Sequence, residues 1–135
     1  MIKKILVTGS SGTIGTRLCE KLIEQGFYVR GADKKPNKWN KSIDKITTIC
    51  DLRYPNNLRK LDKKFELVIH LAANARVYDL VVDPVQARDN FEMLFNTLEY
   101  CRKNEVKKII FSSSREVYGN RNKKIYKEDD ALIKF

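Results

Sequence analysis

The sequence predicts an α/β fold in which a parallel sheet carries helices on both faces. Three observations lead there. The hydrophobic pattern along the 135 residues changes period repeatedly, from short β-branched runs to helical spacing and back. The segments are joined by short connections. Gly9, Gly12 and Gly15 follow the first apolar run directly and open the first helical segment.

Taken in order, Ile2 to Val7 is a β-branched run of the kind found in buried parallel strands, and it ends at Thr8-Gly9. Ile14, Leu18, Leu22 and Ile23 then recur at helical spacing until Gly26, a natural C-cap. Phe27 to Ala32 is a second strand ending at Asp33, and Lys34 to Ser42, with Pro36 and polar neighbours, reads as a loop. Lys45 to Cys50 is a third strand, followed by Asp51 and a short helix near Pro55 to Leu61. Phe65 to Leu71 is a fourth strand, closing on Ala72-Ala73. Asp83 and Pro84 open a long helix as N-cap and first helical residue, running to about Arg102. Lys107 to Ser112 is the fifth strand, and the polar remainder shows no clear periodicity. Right-handed crossovers between parallel strands favour the order 3-2-1-4-5, a doubly wound sheet of Rossmann type.

Bulk properties narrow the function classes. The length allows one domain over residues 1–135 with one core. No apolar run approaches the ~20 residues needed to span a bilayer. The basic start Met1-Ile2-Lys3-Lys4 runs through too short an apolar stretch for a secretory signal. A cytoplasmic protein is expected, and Cys19, Cys50 and Cys101 agree: widely spaced and odd in number, they suggest neither a disulfide framework nor a metal site. The net charge of +10 raises nucleic-acid binding, but the lysines fall in scattered doublets rather than in one stripe interleaved with aromatics. A positive field that attracts anionic nucleotides is the reading preferred over nucleic acid.

The glycine turn has a physical logic. One glycine lets the backbone leave the strand sharply, one removes a side chain that would strike a pyrophosphate, and one lets helix and strand approach closely. The helix N-terminus adds free N–H groups and a partial positive charge. Asp33, about 20 residues on, is placed to accept hydrogen bonds from adenosine ribose hydroxyls and to repel a 2′-phosphate. It could also be a turn-capping aspartate. NAD is favoured over NADP, although Lys34-Lys35 could receive a 2′-phosphate.

With Thr8-Gly9-x-x-Gly12-x-x-Gly15 in place, the chain resembles the extended short-chain dehydrogenase/reductases, in particular their NAD-dependent nucleotide-sugar epimerase/dehydratase branch. Asp51-Leu52 is similar to the family's adenine-contacting pair after strand three. His70-Leu71-Ala72-Ala73 is similar to its H-x-A-[AG] segment, and Asn90, Asn96 and Leu98-Glu99 to its N-x-x-G-T-x-N-L-L-E helix. Phe111-Ser112-Ser113-Ser114-Arg115-Glu116-Val117-Tyr118-Gly119 resembles the F-S-S-S-x-x-V-Y-G segment, whereas Met93 and Leu94 replace the usual Gly-Thr.

The resemblance implies a cofactor site around Gly9, Ser11, Gly12, Thr13, Ile14 and Gly15. Asp33, Asp51 and Leu52 would complete one side of it, and Leu71, Ala72, Ala73 and Asn90 the other. It gives Ser114 a catalytic role, hydrogen-bonding the reacting oxygen of a nucleotide-sugar substrate; a serine run at a strand end could also be a polar cap. His70 receives a packing role beside the cofactor and no catalytic one. The family's Tyr-x-x-x-Lys pair is not found: Tyr126 has Asp130 at the lysine position, and Tyr118 has Asn122. The resemblance therefore implies a sheet truncated after its fifth strand, in a chain that is the cofactor-binding N-terminal part of a longer enzyme, without the substrate lobe and inactive alone. The parent is expected to be a homodimer, in which the tyrosine-bearing helix packs beside the helix from Pro84 to Arg102. A non-catalytic module that senses NAD(H) or binds a protein partner is the alternative, and a nucleic-acid role is a third.

Overall fold

Five parallel strands, counted along the chain, lie in the order 3-2-1-4-5 in a computed structural model that describes residues 2–62, 64–118 and 125–127. They are β1 (Lys4–Thr8), β2 (Tyr28–Asp33), β3 (Thr47–Ile49), β4 (Leu67–His70) and β5 (Lys108–Phe111). Between them come α1 (Thr13–Glu24), α2 (Lys41–Ile46), α3 (Val77–Val82) and α4 (Pro84–Lys103), with 3-10 turns at Pro55–Lys60 and Arg115–Tyr118. The predicted strand order is the observed one.

Strand periodicity sends alternate residues of β1 to opposite faces. Ile5 and Val7 join Cys19, Val29, Ile43, Leu67 and Ile69 in the core beneath α1 and α2. Leu6 instead joins Ala32, Val68, Met93, Tyr100 and Cys101 beneath α4. β1 runs between β2 and β4, with Ile5 paired to Val29 on one side and Leu67 on the other. Its three following residues are almost fully buried, so β1 delivers the turn at Gly9 to the middle of the sheet's C-terminal edge.

The structure corrects the expected third strand. Lys45 and Ile46 finish α2, and pairing with β2 begins only at Thr47, opposite Gly31. The cause is an N-cap that composition conceals: the Asn40 carboxamide oxygen accepts from the amides of Ser42 and Ile43, starting a helix where the polar sequence suggests loop. Ile43 then seats that helix in the core. α3 is a second helix beyond the sequence expectation. By contrast, α4 begins as expected, with Asp83 Oδ1 accepting from the Val85 amide at 3.2 Å and Pro84 in the first helical position. The three cysteines are buried and unpaired.

Candidate functional site

The C-terminal edge of the sheet carries a cleft whose wall is the turn between β1 and α1. Gly9 sits there with φ of +73°, and a Cβ on it would come within 2.9 Å of the Ala72 backbone nitrogen. Gly15 is more restricted: a Cβ would lie 2.1 Å from the Gly9 carbonyl oxygen. The helix can therefore approach the turn only with glycine in that position. Gly12 is the N-cap of α1 and offers no side chain to it, so the first-turn amides keep their partial positive charge for a ligand.

The cleft is lined by Gly9 and Gly12 in the turn after β1, with Asp33, Lys34, Asp51 and Leu52 on the β2–β3 side. Leu71, Ala72, Ala73 and Asn74 line the β4 side, with Cys50 and Met93 also in its lining. Eight of the residues expected from sequence thus converge in one place: Gly9, Gly12, Asp33, Asp51, Leu52, Leu71, Ala72 and Ala73. Thr13 and Ile14 lie just outside it on the first turn of α1, where Ile14 is 74% exposed.

Asp33 both caps and faces the cleft. One carboxylate oxygen accepts from the Ser11 amide at 3.0 Å and the other from the Lys35 amide at 2.9 Å. The Ser11 hydroxyl donates to the Lys35 carbonyl at 2.8 Å, so the glycine turn and the loop after β2 are stitched together. A carboxylate oxygen has capacity for a second donor, so these bonds orient Asp33 without exhausting it. Deeper, Asn37 completes the stitch: its side-chain nitrogen donates to the Ser10 carbonyl at 3.1 Å and to the Thr16 hydroxyl at 2.8 Å.

Asp51 is held by Arg53, whose guanidinium donates to it through Nε and Nη2, the latter at 2.7 Å, and reaches Asp89 on α4 at 2.9 Å. That guanidinium keeps the Asp51 carboxyl below its ordinary range. Asn96 donates to the carbonyls of both Leu52 and Arg53 at 2.9 Å, fixing the same loop from behind.

Asn90 stands behind the cleft and acts on it through Asn74. Its carboxamide accepts from the Asn74 amide at 2.8 Å and donates to the Asn74 carbonyl at 3.1 Å, pinning the loop after β4. Ser114 lies beyond β5 and is not among the residues that line the cleft. It is exposed, and its Oγ accepts from the Glu116 amide at 3.2 Å, capping the following turn. Gly119, the last residue of the serine-containing segment, lies outside the described residues, as do Asn122 and Asp130.

His70 is buried at the end of β4. The Thr8 hydroxyl accepts from the Leu71 and Ala72 amides, each at 3.3 Å, and is hydrogen-bonded to His70 Nδ1 at 3.0 Å. Burial pushes the pKa of the ring down to about 4. A neutral histidine locked to Thr8 braces the turn against the loop after β4. The Cys50 thiol, pushed up to about 11 by burial, is equally unsuited to nucleophilic work.

Sequence reasoning did not single out Asn74, Arg53, Asn37 or Cys50 for the site. Asn74 directly follows the Ala72-Ala73 pair, so contiguity could have pointed to it. The others are brought in by contacts across 21 to 36 residues, or by a strand end whose register only the sheet sets. Met93, which in sequence reads as a packing change, is both core and cleft lining.

Comparison with known proteins gives a consistent result. Residues 5–134 match the model of the NAD dependent epimerase/dehydratase family. A UDP-glucose 4-epimerase of Pisum sativum is 35% identical, covering 90% of this chain and 39% of that protein. A UDP-N-acetyl-alpha-D-glucosaminuronate decarboxylase of Bacillus cytotoxicus is 30% identical, covering 98% and 43%. The crystal structure of a Thermus thermophilus UDP-glucose 4-epimerase in complex with NAD superposes with a TM-score of 0.81 at 29% identity, covering 94% of this chain and 43% of that one. The chain thus spans about two fifths of the length of these relatives.

Proposed function

The chain belongs to the NAD dependent epimerase/dehydratase family, and from that premise we propose that it is the NAD-binding part of a nucleotide-sugar epimerase, dehydratase or related oxidoreductase. The observation that carries the proposal is the cleft itself. Its glycine wall excludes a Cβ at Gly9 and Gly15, open helix amides stand beside it, and an oriented carboxylate closes one side. A dinucleotide needs these three features in this arrangement.

In this reading the amides of Thr13, Ile14 and Gly15 surround the diphosphate, Ser11 holds the turn beside it through its amide to Asp33, and Asp33 accepts from the adenosine ribose hydroxyls. The pair Asp51-Leu52 contacts the adenine, the backbone of Leu71-Ala72-Ala73 lies along the cofactor, and Asn90 holds that loop in place through Asn74. Bound NAD would supply a hydride acceptor for oxidation of a sugar carbon. Ser114 is exposed and its Oγ accepts from the Glu116 amide, and in this reading its hydroxyl donates to the reacting oxygen of the sugar. The tyrosine–lysine pair and the sugar-binding lobe are assigned to the share of the relatives' length that this chain does not span.

No helix among the described residues is long and apolar enough to cross a membrane. A cytoplasmic enzyme is our reading, working on a nucleotide sugar and paired as a homodimer. The apolar stripe of α4 supports that pairing, since Phe91 and Phe95 are 76% and 63% exposed one turn apart, with Leu98 following.

Calorimetric titration tests the cofactor assignment. The protein should bind one NAD, and NADP more weakly, because a 2′-phosphate meets the Asp33 carboxylate. Asp33→Asn should weaken NAD binding about tenfold, the loss of one charged acceptor. A folded protein that ignores millimolar NAD would refute the assignment.

A further inference from the structure

The cleft holds two carboxylates, Asp33 and Asp51, and among its described lining residues a single cation, Lys34. A dinucleotide brings two further negative charges to this acidic surface. Lys34 leaves the end of β2 and crosses toward β4, where its Nζ lies 3.4 Å from the Asn74 carboxamide oxygen. That oxygen is held toward the lysine: the Asn74 side-chain nitrogen donates to the Gln86 carbonyl at 3.2 Å, while Asn90 grips the Asn74 backbone on both sides. The lysine is close enough to Asp51 to help lower its pKa. One flexible cation therefore bridges the two walls, with Gly9 and Gly12 between them, and it rests on a neutral amide acceptor that releases it easily.

We propose that Lys34 is a diphosphate clamp: its ammonium leaves Asn74 when a dinucleotide enters and closes over the two phosphates from the side opposite the α1 amides. This rests on the dinucleotide reading above. Asn74 is the resting dock of the clamp and a positioning residue. The charge arrangement favours the phosphates over the adenosine ribose. Asp33 already occupies the ribose end, and Lys35, which shares the loop, is held there through its backbone by Asp33 and Ser11.

The test uses three ligands, ADP-ribose, 2′-phospho-ADP-ribose and adenosine, titrated into the protein and its Lys34→Met variant at several salt concentrations. The clamp predicts that Lys34→Met weakens ADP-ribose about fivefold, a partly exposed charge pair. It also predicts a flatter salt dependence for ADP-ribose and an unchanged affinity for adenosine. Asn74→Ala should bind ADP-ribose as well as or better than the parent, because the lysine loses its competing dock. An equal loss for adenosine would overturn the clamp, since the lysine would then cover the base. A loss confined to 2′-phospho-ADP-ribose would overturn it in favour of a 2′-phosphate site. If the unaltered protein binds none of the three, the dinucleotide reading fails; if it binds ADP-ribose and Lys34→Met changes nothing, only the clamp fails.

Discussion

His70 is the only histidine in the chain, and acidifying the solution from near 7 to about 5 should destabilise the protein through it. Burial places the folded pKa at about 4 against an ordinary 6.5. Between those values the unfolded chain binds a proton that the folded chain refuses, so stability falls as the pH drops. The gap, at about 1.4 kcal/mol per pH unit, amounts to ~3 kcal/mol in full, of which about 2 kcal/mol is lost by pH 5. That is a large share of a domain's usual stability. Urea unfolding of the protein and of His70→Gln, whose side chain can still hydrogen-bond to Thr8, isolates the effect, because carboxylate titrations are common to both. The difference in their unfolding free energies should change by about 2 kcal/mol over this range. A single imidazole Cε1–H resonance in the NMR spectrum reports the folded pKa directly. A midpoint near the ordinary value, or parallel pH profiles for the two proteins, would refute the claim that this ring is buried, neutral and locked to Thr8.

Two other substitutions probe the walls of the cleft. Gly15→Ala puts a Cβ 2.1 Å from the Gly9 carbonyl oxygen, so α1 must move off the turn. We expect a loss of about 2–3 kcal/mol in thermal or urea unfolding together with loss of NAD binding, and a variant that binds NAD normally would contradict the packing described. Arg53→Met removes the partner shared by Asp51 and Asp89. Because the Asp51 pKa is depressed in the folded protein, its contribution is present above the carboxylate range and disappears as the pH falls through it. The variant should therefore be less stable by about 1 kcal/mol at neutral pH, discounted for the partial exposure of the guanidinium, and nearly equal to the parent in acid. A deficit that persists in acid would assign Arg53 a packing role instead.

Much of this architecture is written locally. β1, β4 and α4 announce themselves through β-branched runs, helical spacing and the Asp83-Pro84 cap, and alternation of strand and helix with right-handed crossovers suffices for the strand order. Gly9, Gly12, Gly15 and Asp33 are legible because the requirements that select them, a left-handed φ, a close approach and an acceptor at a strand end, act at single positions. α2 is hidden because its N-cap is one asparagine in a polar stretch and its core contact one isoleucine, too short a span for periodicity to show. What only tertiary structure decided are the partnerships between segments: Thr8 with His70, Arg53 with Asp89, Asn90 with Asn74, Lys34 with Asn74. Each joins residues 16 to 62 positions apart across the sheet edge. No local pattern encodes such a meeting, because it depends on which loops the parallel sheet brings side by side, whereas a glycine's or a cap's requirement is met within its own few residues.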